Sequence, residues 1–337
     1  MNKNRVLFYS SVKNKELFNT QKFYVIDIEI LESLGLIVTP TNRISDFWKF
    51  WKYDIGFYYF YKKSFFPGLI AKFFHKRNYF TGGIDDFSSE NKKIFNRQKL
   101  FFYLSYLVSD KCFIVSNSDF TNIKTIYNNK LINKLYFSYH GIKLDDYICS
   151  EDALLRKDSN FMTIAWQGNK SNVIRKGIDN ALYIFFELRK YKEFKDSLFY
   201  ILGKSGPGTD YLKDLCNTYG VTESVIFTDE VTEDEKIKYL KNNRYYFQLS
   251  VYEGFGIAAL EALAEKNIII HSGNGGLKDV VADDGIIVYP EESIDSIYNK
   301  ICNYNQKKLH ESEIRICNSF SINHRRNDFE NVIFHNK

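Results

Sequence analysis

Short apolar runs punctuated by Gly, Pro, Asn and Asp alternate along the chain with stretches whose apolar residues return every three or four positions. The first type predicts strands and the second helices. Strands are expected at Arg5–Tyr9, Leu36–Thr39, Asp54–Phe60, Asn78–Thr81, Cys112–Val115 and Leu135–Tyr139. Between them helices are expected at Phe23–Leu34, Ser45–Lys52, Pro67–His75, Ser88–Leu107 and Asp119–Asn128. The polar stretch Cys149–Asn160 reads as a linker. A second set follows, with strands at Phe161–Trp166, Leu198–Leu202, Val225–Thr228, Tyr245–Leu249, Asn267–Ile270 and Ile286–Tyr289. Its helices are expected at Asp179–Lys190, Asp210–Asn217, Thr232–Leu240, Ile257–Glu265 and Glu292–Asn303, with a last one at Ile322–Ile333. Thr232 and Glu235 form a capping box at the start of one of them. Strand and helix alternating twice over predict an α/β protein with two doubly wound parallel sheets.

Length agrees, since 337 residues exceed one core and suit two domains of about 150 residues. Five scattered cysteines without C-x-x-C spacing fit reduced thiols better than a disulfide frame or a zinc site. No apolar run is long enough for a signal peptide or a bilayer span, so a soluble or peripheral cytoplasmic protein is expected. The net charge of +5 is modest, but its location changes the picture. Residues 47–80 carry seven Lys and Arg against one acid, Asp54, among many aromatic rings. Basic and aromatic residues together suit an anionic membrane surface, and equally a core strand flanked by solvated loops. Nucleic acid is the least suited partner, because a sheet buried on both faces offers no stacking platform.

The densest chemistry lies in Ser250-Val-Tyr-Glu-Gly-Phe-Gly-Ile-Ala-Ala-Leu-Glu-Ala-Leu-Ala264. Gly254, Phe255 and Gly256 stand at a strand-to-helix junction, where small residues admit a ligand to the backbone. The first helical N–H groups there lack partners and favour an anion such as phosphate. Glu253 precedes the helix, and Glu261 lies inside it on a mostly apolar face. A buried carboxylate needs partners, for which sugar hydroxyls are one source; capping and surface roles are the plain alternatives. Gly168 opens a polar loop leading through Arg175 and Lys176, which either point into solvent or supply the cations that a phosphate beside two acids requires. Gly203-Lys-Ser-Gly-Pro-Gly208 lacks the residue order of a P-loop. After the fourth strand stand Gly82, Gly83, Asp85 and Asp86; the acids could orient an acceptor hydroxyl or merely cap the next segment. Adjacent carboxylates without histidine are a poor metal site, so no metal is expected.

The stretch 250–264, with Glu253 and Glu261 in an E-x7-E arrangement, resembles the signature of glycosyltransferase family 4, the group 1 glycosyltransferases. The resemblance implies a GT-B fold, two Rossmann-like domains facing across a cleft, and retaining transfer of a sugar from a nucleotide-diphosphate donor to a hydroxyl. It implies that residues 1–148, completed by a helix at about 320–337, hold a glycan or lipid-linked acceptor, and that residues 149–319 bind the donor. Arg175, Lys176 and Glu253 would then serve catalysis, and Gly168, Gly254, Phe255, Gly256 and Glu261 the donor. No cofactor beyond the sugar nucleotide is implied. Gly275-Gly276-Leu-Lys-Asp279 resembles the family's Gly-Gly-x-x-Glu with a shorter acid, and His140-Gly-Ile resembles its Asn-Gly-Val. Two departures stand out. Residues 81–86 lack the histidine many relatives carry there, and Lys266-Asn-Ile-Ile replaces Gly-x-Pro-Val, which predicts an altered turn. Both departures would also suit a non-catalytic sugar-nucleotide or polysaccharide-binding protein on the same frame.

Overall fold

A computed structural model of the chain describes residues 4–84, 87, 91–147 and 158–335. The chain divides into two compact units, residues 1–143 with 318–337, and residues 144–317. Each is built on a six-stranded, all-parallel sheet with helices in the crossovers. The first sheet comprises β1 (Arg5–Tyr9), β2 (Ile37–Thr41), β3 (Ile55–Tyr59), β4 (Arg77–Thr81), β5 (Lys111–Ile114) and β6 (Leu135–Phe137), in the order β2-β1-β3-β4-β5-β6. The second comprises β7 (Asp158–Ile164), β8 (Phe199–Leu202), β9 (Val225–Asp229), β10 (Asn243–Gln248), β11 (Ile268–His271) and β12 (Ile286–Ile287), in the order β12-β11-β10-β7-β8-β9. The fold is GT-B, two Rossmann-like parallel-sheet units.

The pleat sorts the first unit's aromatic residues to two cores. Ile55, Phe57 and Tyr59 face one side of β3 with Phe8, Tyr79 and Phe113, while Tyr58 joins Tyr9, Phe80 and Cys112 on the other. Gly56 is needed between them: a Cβ there would lie 1.9 Å from the hydroxyl of Tyr58, which donates to Asn78 at 2.9 Å. The helix Ile322–Glu330 belongs to the first unit and is fastened by Arg325, 1% exposed. Arg325 forms a bidentate ion pair with Asp27 on the helix Lys22–Ser33, at 2.5 and 2.7 Å. It also donates to the backbone oxygens of Ser138 and Tyr139 and to the Thr81 hydroxyl, each at 3.1 Å. Tyr59 donates to the same Asp27 carboxylate.

Several expectations are corrected. Ser45–Lys52 forms no α-helix but two 3-10 turns, Ile44–Trp48 and Phe50–Lys52, because its aromatic residues are spaced for a turn around buried Phe47 rather than for a continuous face. Strand β2 runs through Pro40 to Thr41, which an edge strand tolerates since one row of its N–H groups pairs with nothing. Asp158–Asn160, placed in the linker, open β7. Residues 148–157 of that linker lie outside the described residues. The helices Lys170–Lys176 and Lys307–Ser319 were not expected, although the second buries Leu309, Ser312 and Ile316 at helical spacing. Among the described residues no helix is long and apolar enough to cross a membrane.

Candidate active site

In the second sheet the strand order reverses between β7 and β10, the neighbours at its centre. Crevices beyond the carboxyl ends of such a pair are where open α/β sheets bind ligands. The loop after β7 carries Gly168 and leads to Arg175 and Lys176; the loop after β10 carries Glu253 to Gly256 and leads to Glu261. Topology thus brings both halves of the expected site to one edge of one unit.

The basic pair does not lie in a loop, as expected, but on the last turn of the helix Lys170–Lys176. Asn169 caps its start by accepting from the Asn172 N–H at 2.8 Å. Gly177 ends it in the left-handed region, φ 66°, where a Cβ would come within 2.0 Å of the Leu249 carbonyl oxygen. Only glycine therefore lets this helix end seat against the loop after β10. The Val251 N–H donates to the Arg175 carbonyl at 3.0 Å, closing the junction. Lys176 Nζ then meets Glu253 Oε2 at 2.7 Å, with both side chains largely buried. Arg175 is exposed and donates to Asn172 Oδ1 at 3.2 Å.

Glu253 is held from more than one side. Ser250 Oγ donates to Oε2 at 3.1 Å and Gln248 Nε2 at 3.3 Å. Gln248 in turn accepts from the Tyr246 hydroxyl at 3.2 Å. Burial, reinforced by Glu261 and Glu253, pushes the Tyr246 hydroxyl far above the usual phenol range, so it stays a donor. The backbone of Glu253 also bridges to Gly275, and its carbonyl accepts from the Gly276 N–H at 2.7 Å. A Cβ on Gly275 would sit 2.1 Å from that carbonyl, and one on Gly276 within 2.6 Å of Phe255 Cα. The Gly-Gly pair is thus a seat for the Glu253–Gly256 loop. Phe255 is buried, and Gly256, φ 101°, caps the helix Ile257–Ala264 with no side-chain bond to its first N–H groups. Gly168 sits over the Trp166 ring, 2.6 Å from where its Cβ would be.

Glu261 is 2% exposed, yet its charge is met within the chain. Lys236 Nζ donates to both carboxylate oxygens at 3.0 and 2.9 Å, and the Tyr147 hydroxyl to Oε1 at 2.9 Å. Burial, with that carboxylate close by, pushes the Tyr147 hydroxyl well above the ordinary range. Sequence reasoning supplied a cation for Glu253 and missed this one. The signal was present: Lys236 precedes Leu240 by four residues on the helix Glu233–Asn242, a position on its apolar stripe. Lys266 explains the altered turn. It takes the left-handed conformation, φ 59°, that glycine usually fills after a helix, and its Nζ is tied to the Leu309 carbonyl at 2.8 Å and Glu313 at 2.6 Å.

In the first unit Gly82 follows β4 with φ 114° beneath the Phe60 ring, and Gly83 is half-buried beside it. Asp85 and Asp86 lie outside the described residues. His140 is buried, parallel to the Tyr59 ring, and burial next to Arg325 drives its pKa well below the usual histidine value. Among the described residues no three His, Cys, Asp or Glu side chains converge on a point.

Comparison with known proteins shows what the chain is similar to. Residues 170–315 match the family described as "Glycosyl transferases group 1". An uncharacterized glycosyltransferase of Methanocaldococcus jannaschii is 32% identical over 202 residues, 56% of this chain and 49% of that one. The alpha-monoglucosyldiacylglycerol synthase of Streptococcus pneumoniae is 27% identical over 121 residues, 35% of this chain and 27% of that one. This chain therefore spans about half, or less, of the length of these curated relatives. Among solved structures, Anabaena HepE in complex with UDP and glucose superposes with a TM-score of 0.76 at 15% identity, covering 99% and 100% of the two chains. Sucrose-phosphate synthase from Thermosynechococcus elongatus gives 0.75 at 13%, covering 98% of each. Residues 170–315, which hold Arg175, Lys176, Glu253 and Glu261, thus resemble the group 1 glycosyltransferases in sequence, within a chain whose fold is that of GT-B structures.

Proposed function

We propose that the chain transfers a sugar from a nucleotide-diphosphate donor to a hydroxyl acceptor, with retention of configuration. The observation that carries this reading is the Lys176–Glu253 contact beside the helix N-terminus at Gly256, on the switch-point edge of the second sheet. A departing diphosphate needs cations and N–H donors, and the transferred sugar needs an acceptor for its hydroxyls. An ammonium has three N–H donors, so Lys176 can bridge Glu253 and a phosphate oxygen at once. Glu253 would face the sugar, Gly254–Gly256 the diphosphate, and Glu261 the nucleoside side, with Gly168 and Phe255 shaping the walls. Arg175 would add positive potential at the rim. In a retaining reaction of this kind the leaving phosphate accepts the acceptor's proton, which relieves the site of a separate base. HepE, solved with UDP and glucose, and the alpha-monoglucosyldiacylglycerol synthase support a sugar nucleotide as donor and a glycan or lipid-linked acceptor. Gly82, Gly83, Asp85 and Asp86 are the acceptor residues we propose. The reaction would run on the cytoplasmic side.

A thermal-shift screen of UDP-, GDP-, ADP- and dTDP-sugars tests the donor class; a ligand at 100 times its Kd adds about 2.7 kcal/mol. Release of nucleoside diphosphate from the selected donor tests the reaction. Turnover in excess EDTA should match turnover with magnesium, because Lys176 and the helix N-terminus supply the positive charge. A tenfold or greater loss in EDTA would overturn metal independence.

The two glutamates should separate experimentally. Glu261→Gln should weaken free nucleoside diphosphate by about 1.5–3 kcal/mol, the range for a hydrogen bond to a charged group. Glu253→Gln should leave that affinity nearly unchanged and lower the transfer rate. Calorimetry with the nucleotide alone, beside transfer kinetics, reads both. Equal losses of nucleotide affinity would refute the division of labour.

A further inference from the structure

The helix Phe65–Phe73 carries large apolar side chains on its outer face as well as on its inner one, where Phe65 and Ile70 pack against the core. Pro67, Gly68 and Ala71 face the sheet, whereas Phe66, Leu69 and Phe73 are 45, 49 and 73% exposed. The inner face is closely seated: a Cβ on Gly68 would lie 2.7 Å from the Phe80 ring. The outward stripe is therefore not core surplus, and its three large residues follow one another at spacings of three and four. Beside it the 3-10 turns expose Trp48 and Trp51, at 58 and 59%. Ring contacts make the surface continuous: Trp48 meets Phe74 edge-on at 6.0 Å, Phe50 stacks on Phe74 at 4.3 Å, and Phe73 and Trp51 adjoin these.

The surrounding charge is predominantly positive. Lys52 and Lys63 are exposed on the same segments. Lys49 and Lys72 reach Asp46 at 3.5 Å and Asp110 at 3.1 Å, yet both stay about half exposed, where such pairs hold weakly. The geometry points to a docking surface for an anionic lipid bilayer: tryptophan and phenylalanine enter the headgroup boundary while the lysines meet lipid phosphates. A second copy of the chain would bring like charges together at this face. A nucleic acid would leave the aliphatic and phenylalanine stripe of the helix against phosphates and sugars.

Flotation with vesicles tests the assignment, using phosphatidylcholine alone and phosphatidylcholine with about 30% phosphatidylglycerol. Partitioning into the anionic vesicles should exceed that into neutral ones by about tenfold or more at 0.1 M salt, and fall by a similar factor at 0.5 M as screening shortens. Trp48→Ser/Trp51→Ser/Phe73→Ser should abolish partitioning with an unchanged melting temperature, since these side chains are mostly exposed already. Lys49→Gln/Lys52→Gln/Lys63→Gln should remove the preference for anionic vesicles and leave the residual neutral binding. Equal binding to both vesicle types, no binding to either, displacement from vesicles by an oligonucleotide, or a concentration-dependent dimer that the triple serine variant dissolves would each overturn the lipid assignment.

Discussion

Lys176→Ala is expected to lower transfer by about 10²–10³-fold, the loss seen when one preorganised donor to a developing charge is removed. The structure brings Lys176 onto Glu253, at 2.7 Å, and Lys176 sits at the end of a helix that Gly177 locks in place. Its removal deletes a charge aimed where the diphosphate is proposed to leave and also loosens the carboxylate proposed to hold the sugar. Ser250 and Gln248 still donate to Glu253, so the second unit should stay folded. Arg175→Ala should have a far smaller effect, because that guanidinium lies in solvent on Asn172. Steady-state release of nucleoside diphosphate from the chosen donor, with circular dichroism as the folding control, measures both. Equal losses for the two variants, or a loss below about fivefold for Lys176→Ala, would remove Lys176 from the role proposed here.

Arg325→Met is expected to destabilise the first unit by about 3–5 kcal/mol, because it strands Asp27, 1% exposed, without its ion-pair partner. At about 2–4 °C per kcal/mol for a domain of this size, the calorimetric transition of that unit should fall by roughly 6–20 °C. Tyr59 alone would remain to donate to the buried carboxylate, at most one hydrogen bond against a full charge. The double variant Asp27→Asn/Arg325→Met removes both charges and should recover much of the loss, the non-additivity being the signature of a coupled pair. A single-variant loss below 1 kcal/mol would show that the helix is held by its apolar face, through Phe329, Val332 and Ile333, rather than by the ion pair.

The strands were legible because their residues are apolar and β-branched or aromatic over a few positions, and β1, β3 and β10 form where such runs occur. The E-x7-E stretch was legible because Gly256 and the Ala-rich run after it fix a helix start without tertiary help. What escaped depends on contacts distant in sequence. The local pattern puts Lys236 on the apolar stripe of its helix but does not name Glu261, 25 residues later, as its partner, nor say that Tyr147 will reach the same carboxylate across 114. The helix Lys170–Lys176 is short and polar, and it exists through Asn169 and Gly177 at its ends more than through any pattern between them. The split of the basic pair, Lys176 inward and Arg175 outward, follows from helical rotation of 100° per residue, which matters only once that helix is known.

The discontinuity of the first unit bears on how the chain is made. A ribosome releases residues 4–143, then the whole second unit, and only afterwards the helix Ile322–Glu330 that packs against β3 and β5 through Phe329. Until then Asp27 has no guanidinium, and the apolar bed that receives Phe329, Val332 and Ile333 lies open. The second unit is contiguous in sequence and can close on itself first. Order of synthesis and order of completion are thereby inverted: the segment translated first is finished last, and a chain cut short before residue 325 presents an aromatic, aggregation-prone seam to the cell's quality control.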